Sequence, residues 1–328
     1  GTEFLQIRDD GTRDSSLVDM SKFESLSFQG NLEWKFSNAL KFNLIGSFAQ
    51  EEGGGGGFNS RFVPYGQTNN FRDNYSVNLK TTITPSAYTF LTVNVANRYN
   101  EFRNYLYEDP WDPRYFNYDN LSNPLFGIHN NEFGNQIPNA GQFATYGTNN
   151  NRFFRSTDTY IAKAEISSQL NDNHFIKAGI SAQFDEIQFE NVGLSPLVDD
   201  GISFPDGTPE ELRFICADTG NRYPCLELGY PGVNTPGYQK YTENPISLSA
   251  FVQDKIEFES LIINVGIRFD YFDPNTLIPN DPEDPDIFFP TKTENQYNDV
   301  NNNGQQDANE PDLTVADRES YWWKDASV

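Results

Sequence analysis

The sequence predicts an all-β fold built from long strands, and three observations support this prediction. First, apolar and polar residues alternate over stretches of about ten residues, which is the two-residue period of a β-strand. Second, these stretches come in pairs that are joined by turns of about three residues. Third, the pairs are separated by much longer connections that lack this alternation. Together they indicate about eight long strands arranged as four hairpins.

The first hairpin is predicted near residues 26–49. One face of its first strand carries Leu26, Phe28, Gly30, Leu32, Trp34 and Phe36. The opposite face carries Ser27, Gln29, Asn31, Glu33 and Lys35. After a short turn at Ser37 to Ala39, the alternation resumes and continues to Phe48.

The same pattern recurs three times further along the chain. The predicted hairpins lie near 74–99, 159–185 and 246–272. The predicted loops are 50–73, 100–158, 186–245 and 273–328. Loops longer than about 12 to 15 residues are uncommon in compact domains, so their strict alternation with short turns is an architectural clue.

Two architectures produce strands with one apolar and one polar face. A soluble β-sandwich does so, but its strands are usually about five or six residues long. A tilted strand needs about ten residues to cross the hydrocarbon core of a bilayer, and transmembrane barrels combine short periplasmic turns with long extracellular loops. We therefore predict a segment of a transmembrane antiparallel β-barrel in a bacterial outer membrane, with its apolar face on lipid and its loops extracellular.

Composition narrows the possible functions. The formal net charge is −24, which would repel nucleic-acid phosphates, so we expect no nucleic-acid partner. The two cysteines, Cys216 and Cys225, lie in a Gly/Pro-rich stretch and suit one local disulfide in an oxidising compartment, although two unpaired thiols are the alternative. Neither end of the chain resembles a native terminus, so we expect the sequence to be part of a longer protein.

The stretch "FVQDKIEFESLIINVGIRFDYFDP", residues 251–274, resembles TonB-dependent outer-membrane receptors of the Bacteroidetes type, especially the Oar-like group. In that group an aromatic-x-Gln-Asp-Lys strand start and a Gly-x-Arg-aromatic-Asp strand recur. The resemblance implies a barrel of 22 strands, an N-terminal plug domain and an inner-membrane TonB energy-coupling complex that acts through an N-terminal part. Neither the plug nor its coupling segment is present in these 328 residues.

The stretch "DVNNNGQQDANE", residues 299–310, matches the spacing of a calcium-binding loop. The ligand positions would be filled by Asp299, Asn301, Asn303, Gln305 through its carbonyl, Asp307 and Glu310. The flanking segments lack apolar periodicity, so we expect an isolated, calcium-stabilised loop rather than a pair of helices around a site. The alternative is an acidic, Asn-rich loop that binds no metal.

A second candidate is the aromatic segment 105–120 in the second long loop. The ligand-contact candidates are Tyr107, Trp111, Tyr115 and Tyr118. Aromatic faces can stack on sugar rings or grip a peptide, but they can equally pack long loops against one another.

The sequence favours transport over catalysis. It contains no zinc-protease, serine-hydrolase or dinucleotide-binding motif, although spacing alone does not exclude a pair of catalytic carboxylates. We expect an outer-membrane receptor that takes up an unidentified peptide, glycan or metal chelate. The alternative is a non-transporting adhesin or structural barrel protein with calcium-stabilised loops. The size of the loops also makes a surface lipoprotein a plausible partner.

Overall fold

A computed structural model describes most of the chain. The described residues are 2–3, 6–7, 13–14, 17–18, 21–56, 66–110, 112, 149–198, 226–229, 237–300, 305–307 and 310–326. The predicted all-β fold class is confirmed, because a single large antiparallel sheet dominates this part of the chain.

The strands in chain order are β1 (Thr2–Glu3), β2 (Gln6–Ile7), β3 (Arg13–Asp14), β4 (Leu17–Val18), β5 (Lys22–Lys35), β6 (Leu40–Gly54), β7 (Asn69–Ser86), β8 (Thr89–Tyr105), β9 (Asn151–Gln169), β10 (His174–Gly193), β11 (Ser195–Val198), β12 (Leu226–Gly229), β13 (Tyr238–Glu243), β14 (Ile246–Phe258), β15 (Leu261–Asp273), β16 (Leu277–Pro279) and β17 (Trp323–Asp325). Two helices lie near the C-terminus, at Thr293–Gln296 and Val315–Trp322. Small two-stranded sheets are formed by β1 with β4, β2 with β3, β11 with β12, and β16 with β17.

The large sheet follows the order of the chain. Its strand order is β15-β14-β10-β9-β8-β7-β6-β5, and β13 also pairs with β10. Four tight turns, at 36–39, 87–88, 170–173 and 259–260, lie at one end of the sheet, which we call the turn end. The long connections leave from the opposite end, which we call the loop end. Within the described residues the sheet is open, with β5 and β15 at its two edges.

The strands are longer than the alternation predicts. β6 continues to Gly54, β8 to Tyr105 and β10 to Gly193, while β9 already begins at Asn151. The predicted loops 50–73, 100–158 and 186–245 are therefore too wide. The missed residues lie at the loop end, where both faces of the sheet carry polar and charged side chains. Alternation of apolar and polar residues cannot reveal a strand there, because it is present only in strands with one apolar and one polar face.

β13 and β14 follow one path along β10. Glu243 pairs with Ile187 and Ile246 pairs with Phe184, which is the same register on both sides of the break. The break falls at Pro245, because proline has no N–H to donate to β10. Its carbonyl still accepts a hydrogen bond from the N–H of Asp185 at 3.1 Å. The predicted end of the third loop at residue 245 thus marks a proline inside a longer strand path.

The predicted loop 273–328 instead contains a small folded unit. Its buried side chains include Ile287, Tyr297 and Trp322, whereas few side chains of the large sheet are buried. The expectation that no helices flank the calcium-type stretch is wrong. The helix Val315–Trp322 begins with a capping box, in which Thr314 and Asp317 each satisfy the other's backbone N–H. Capping and burial of a few residues stabilise this helix, so apolar periodicity could not reveal it.

Candidate functional site: the two faces of the sheet

One face of the large sheet is apolar from edge to edge. The strand registers join a single row across all eight long strands, formed by Leu32, Leu44, Leu79, Val95, Ala162, Ala182, Leu248 and Tyr271. Many large side chains on this face are exposed, for example Phe28 at 71% and Ile267 at 72%. We call it the apolar face. An exposed apolar surface of this extent requires a partner other than water.

The opposite face is polar along its matching row. That row consists of Glu33, Asn43, Lys80, Asn94, Lys163, Ser181, Ser249 and Asp270. Hydrogen bonds and ion pairs link its side chains, including Asn43 to Asn31 at 2.9 Å, a Ser47–Ser76 contact at 2.8 Å and Lys177 to Glu165 at 3.0 Å. We call this the polar face. Its amides, hydroxyls and charges suit contact with water or with a polar ligand.

The height of the apolar face matches a bilayer core. Its side chains run from Leu26 of β5 to Phe36 at the start of the following turn, and on β15 from Leu261 to Tyr271. Ten residues span about 33 Å along a strand, which becomes about 25 Å across the membrane at the usual barrel tilt. This is about the height of the apolar band in outer-membrane barrels.

Aromatic side chains mark both limits of the apolar face. At the turn end, Trp34 contacts Phe36 and Phe42, with ring centroids 5.7 and 6.0 Å apart. At the loop end, the register brings Phe28, Phe48, Tyr75 and Tyr99 into one row, in which the rings of Tyr75 and Tyr99 stack at 5.0 Å. Two aromatic levels are the pattern expected at the two interfaces of a bilayer.

In the sequence alone, aromatic residues such as Trp34, Phe36 and Phe42 stand beside the short turns, as expected for an aromatic level there, but nothing in it indicates the level at the loop end. The residues of the missed level are separated by long stretches of chain, so only the strand registers bring them together. Two aromatics near the turns, Phe90 and Phe175, stand opposite Ser167 and Lys255 and therefore belong to the polar face.

Beyond the second aromatic level, the same face of the sheet becomes charged. Asp73 accepts a hydrogen bond from Gln50 at 2.9 Å and pairs with Arg103, which also lies 2.8 Å from Glu101. Charged pairs of this kind are typical of a surface in water. The strands therefore extend past the apolar zone into a charged zone at the loop end.

Four rings form a continuous line on the polar face near the loop end. Phe102, Phe153, Phe189 and Tyr241 have successive ring centroids 5.7, 5.3 and 4.9 Å apart. We call these four residues the aromatic row. The last pair is stacked with only 9° between the ring planes, and Tyr241 is 47% exposed. None of the four was singled out from the sequence, because they belong to strand extensions that the alternation did not reveal.

The small folded unit within residues 273–328, which we call the C-terminal unit, has the carboxylate of Asp284 at its centre. Asp284 is 1% exposed and accepts hydrogen bonds from Asn295 Nδ2 at 2.8 Å, from the N–H and hydroxyl of Thr291 at 2.7 and 2.9 Å, and from the N–H of Lys292 at 3.1 Å. Burial acts to raise its pKa, but these donors outweigh burial and lower the pKa to about 2. Asp284 is therefore an ionised, fully satisfied structural carboxylate.

The calcium-type stretch lies in the same unit, and its described residues come close together. Glu310 is 3% exposed, and its two carboxylate oxygens accept the N–H groups of Val300 at 2.9 Å and Asp307 at 3.0 Å. Burial of Tyr297 and the nearby carboxylates of Asp299, Glu310 and Asp307 raise the pKa of its phenol. The carboxylate of Glu310 thus joins the two ends of the stretch through the N–H groups of Val300 and Asp307.

The described residues leave out part of this stretch. Asn301 and Asn303 lie outside the described residues, whereas Gln305 lies within them. Within the described part, which lacks 301–304 and 308–309, no group of three or more Asp, Glu, His and Cys side chains is arranged to hold a metal ion.

The aromatic segment 105–120 is described only at its start. The carbonyl of Tyr107 accepts a hydrogen bond from Arg152, whose guanidinium lies 5.0 Å from the ring centroid of Tyr105. The other candidates lie outside the described residues: Trp111, Tyr115 and Tyr118, and likewise the cysteines Cys216 and Cys225. The helices of the described part are too short and too polar to cross a membrane.

Comparisons with known proteins give a remote likeness in shape. No protein-family model and no curated protein matches the sequence. The outer membrane transporter YddB from Escherichia coli is 10% identical with a TM-score of 0.43, and the match covers 82% of this chain and 31% of that one. Two structures of RagAB, one titled as a peptide importer in the closed-closed state and one as a peptide transporter, are 11% and 13% identical, with TM-scores of 0.41 and 0.39. Each of these two matches covers 77% of this chain and 28% of the matched RagAB chain. This chain therefore spans only about a third of the length of the transporters to which it is similar.

Proposed function

We propose that this chain forms part of the wall of an outer-membrane β-barrel receptor that imports a ligand with energy from the TonB complex. The observation that carries the proposal is the apolar face, which is about 25 Å high, edged by two aromatic levels and backed by a polar face. Backbone groups in lipid must all be paired, so the open edges of β5 and β15 would be closed by further strands of the complete protein. The polar face would then line the lumen.

The membrane setting is tested with adjacent residues on opposite faces. Leu248 lies on the apolar face and Ser249 on the polar face. Each is changed to Cys in the full-length protein, with Cys216 and Cys225 replaced by Ser, and labelled with bimane. In bilayers containing brominated lipid, the label at Leu248→Cys should be strongly quenched and the label at Ser249→Cys only weakly. Equal quenching at both positions would contradict a lipid-facing apolar face.

Import is tested separately in cells. Binding of ligand at the surface should persist when the proton gradient is collapsed, whereas its accumulation inside the outer membrane should stop. A ligand that binds at the surface but never accumulates in energised cells would instead favour a non-transporting adhesin. Pull-down of the full-length protein would show whether a surface lipoprotein copurifies with it.

The residue pattern 299–310 supports a second, structural proposal, namely that this stretch binds calcium. Motif spacing supports it, and so does the burial of Glu310 at 3% exposure, with its carboxylate turned toward the amides of the loop. Calcium would then hold the C-terminal unit together at the loop end. The extracellular side offers calcium at about the concentration at which even weak sites are filled.

A further inference from the structure

The sheet has a step at its loop end. β13 continues the path of β14 along β10, but on the other side β15 pairs with β14 only as far as Ile246 and Asp273. Pro274 follows, and Asn275 then turns the chain with a positive φ of 47°. Its N–H is held by the carboxylate of Asp273 at 2.9 Å. β15 therefore ends before β13 does, and β13 projects beyond it.

The registers show which main-chain groups of β13 face this step. The N–H of Asp185 reaches the carbonyl of Pro245, and that of Gly193 reaches the carbonyl of Gly237, both at 3.1 Å. In an antiparallel pair the bonded residues alternate, so Gln239, Tyr241 and Glu243 bond to β10. The N–H and C=O groups of Lys240 and Thr242 point away from β10. No strand of the described part pairs with that side of β13.

The side chains of β13 beside its free edge determine which partner side chains the edge would favour. Tyr241, at the end of the aromatic row, offers an exposed ring on the polar face. Glu243 lies two residues along the same face and forms no ion pair with any described residue. Lys240 is on the other face, where it is paired with Glu190 at 3.1 Å. A partner strand would therefore meet one aromatic ring and one negative charge.

We propose that this edge binds an extended peptide as an additional antiparallel strand, with an aromatic side chain against Tyr241 and a basic side chain two positions earlier against Glu243. Unpaired strand edges are templates for such addition, in which main-chain bonds give affinity and alternate side chains give specificity. Antiparallel pairing is chosen because every pair in the sheet has that direction. The inference rests on the proposed function in one respect, since it names the class of ligand that the receptor would capture.

The test uses the purified full-length protein and the labelled hexapeptide Thr-Lys-Thr-Phe-Thr-Gln. In the proposed register its second residue faces Glu243 and its fourth faces Tyr241, while its third and fifth residues bond to Thr242 and Lys240. Methylation of the amide nitrogen at the third or fifth residue should weaken binding at least tenfold. Methylation at the second or fourth residue should change it less than threefold. If the effect of methylation on binding does not alternate between successive peptide residues in this way, the proposed strand addition is wrong.

Variants of the protein test the same geometry. Thr242→Pro removes an outward N–H and should weaken binding at least tenfold, whereas Thr242→Val keeps that N–H and should bind as the unmodified protein does. Hydrogen exchange adds an independent measurement: the amides of Lys240 and Thr242 should exchange quickly without peptide and slowly with it. If these amides are already protected without peptide, a segment of the chain itself covers the edge and the proposal is wrong.

Binding and uptake fail in distinguishable ways. Peptide that binds with the two-residue period but is not taken up by energised cells would leave the edge site intact and contradict import. Energised uptake that is unaffected by Thr242→Pro would support import and overturn this site.

Discussion

Placing a charge at the middle of the apolar face tests its setting most directly. Leu79 lies in the apolar row, between Leu44 and Val95, and is 41% exposed. It is four residues from Tyr75 of the loop-end aromatic level and four from Ile83 at the turn end. Four residues span about 13 Å along a strand, so Leu79 lies near the midplane of the proposed bilayer core.

The cost of Leu79→Arg depends on what surrounds this position. At the midplane of a bilayer, an arginine on the lipid face of a barrel costs about 2 to 4 kcal/mol, because its guanidinium must be drawn into hydrocarbon or pull water inward. The side chains opposite Leu79 are apolar, so no carboxylate stands directly across from the new charge. In water the same exposed substitution would change stability by about 0.5 kcal/mol or less, apart from lost side-chain packing.

The assay is equilibrium unfolding of the full-length protein in lipid vesicles by urea, followed by tryptophan fluorescence. Leu79→Ala measures the lost packing, and Asn43→Arg places the same charge on the polar face, opposite one acidic and one basic side chain, Glu33 and Lys80. We expect Leu79→Arg to lose at least about 2 kcal/mol more than Leu79→Ala, while Asn43→Arg loses much less. Equal losses for the two arginine variants would refute the assignment of the two faces.

The remaining predictions concern Gly266, Asp284 and the calcium-type stretch 299–310. Gly266→Ala should cost about 1 to 3 kcal/mol of unfolding free energy, because a Cβ there would lie 2.9 Å from the carbonyl oxygen of Val252; an unchanged urea midpoint would contradict this close approach. Asp284→Ala should orphan several buried donors at about 1 to 3 kcal/mol each, seen as faster hydrogen exchange across residues 281–326. The pKa of Asp284 is lowered to about 2, so its ionised form contributes its full stabilisation above the ordinary pKa of 3.8. This contribution should decrease as the pH falls from 3.8 through about 2. An identical pH dependence of stability in Asp284→Ala would contradict this role of Asp284. Calcium should protect residues 299–310 from protease, Asp299→Asn should weaken that protection, and a titration without effect would remove calcium from the proposal.

The part of the fold that could be predicted from the sequence consists of the strands with one apolar and one polar face. Residues such as Leu32 and Glu33 alternate because one side must be apolar and the other polar. The turn-end parts of β5 to β10, and nearly all of β14 and β15, were therefore predictable. At the loop end Arg72, Asp73 and Arg103 stand on strands that carry charged side chains on both faces, and no period distinguishes them from a loop. Long-range registers, which create the aromatic row, leave no local pattern at all.

The C-terminal unit was missed for a different reason. Its order depends on single polar centres: Asp284, and Arg318, which donates to the carbonyls of Ile287 at 2.8 Å and Leu313 at 2.6 Å. Such centres satisfy backbone groups that would otherwise be left without partners in a buried position, and they stabilise irregular chain without any repeating pattern. Only the capping residues Thr314 and Asp317 carried a readable local signal.

The division between the two kinds of surface suggests how the proposed functions fit one chain. The apolar zone needs long, regular strands, because hydrocarbon tolerates no unpaired backbone group. The aqueous zone beyond Tyr75 and Tyr99 has no such requirement, since water can satisfy whatever the sheet leaves open. A free edge like that of β13 could therefore persist only above the second aromatic level. In the proposed bilayer setting, candidate peptide contacts are therefore restricted to the loop end, which would be the side that ligand reaches first.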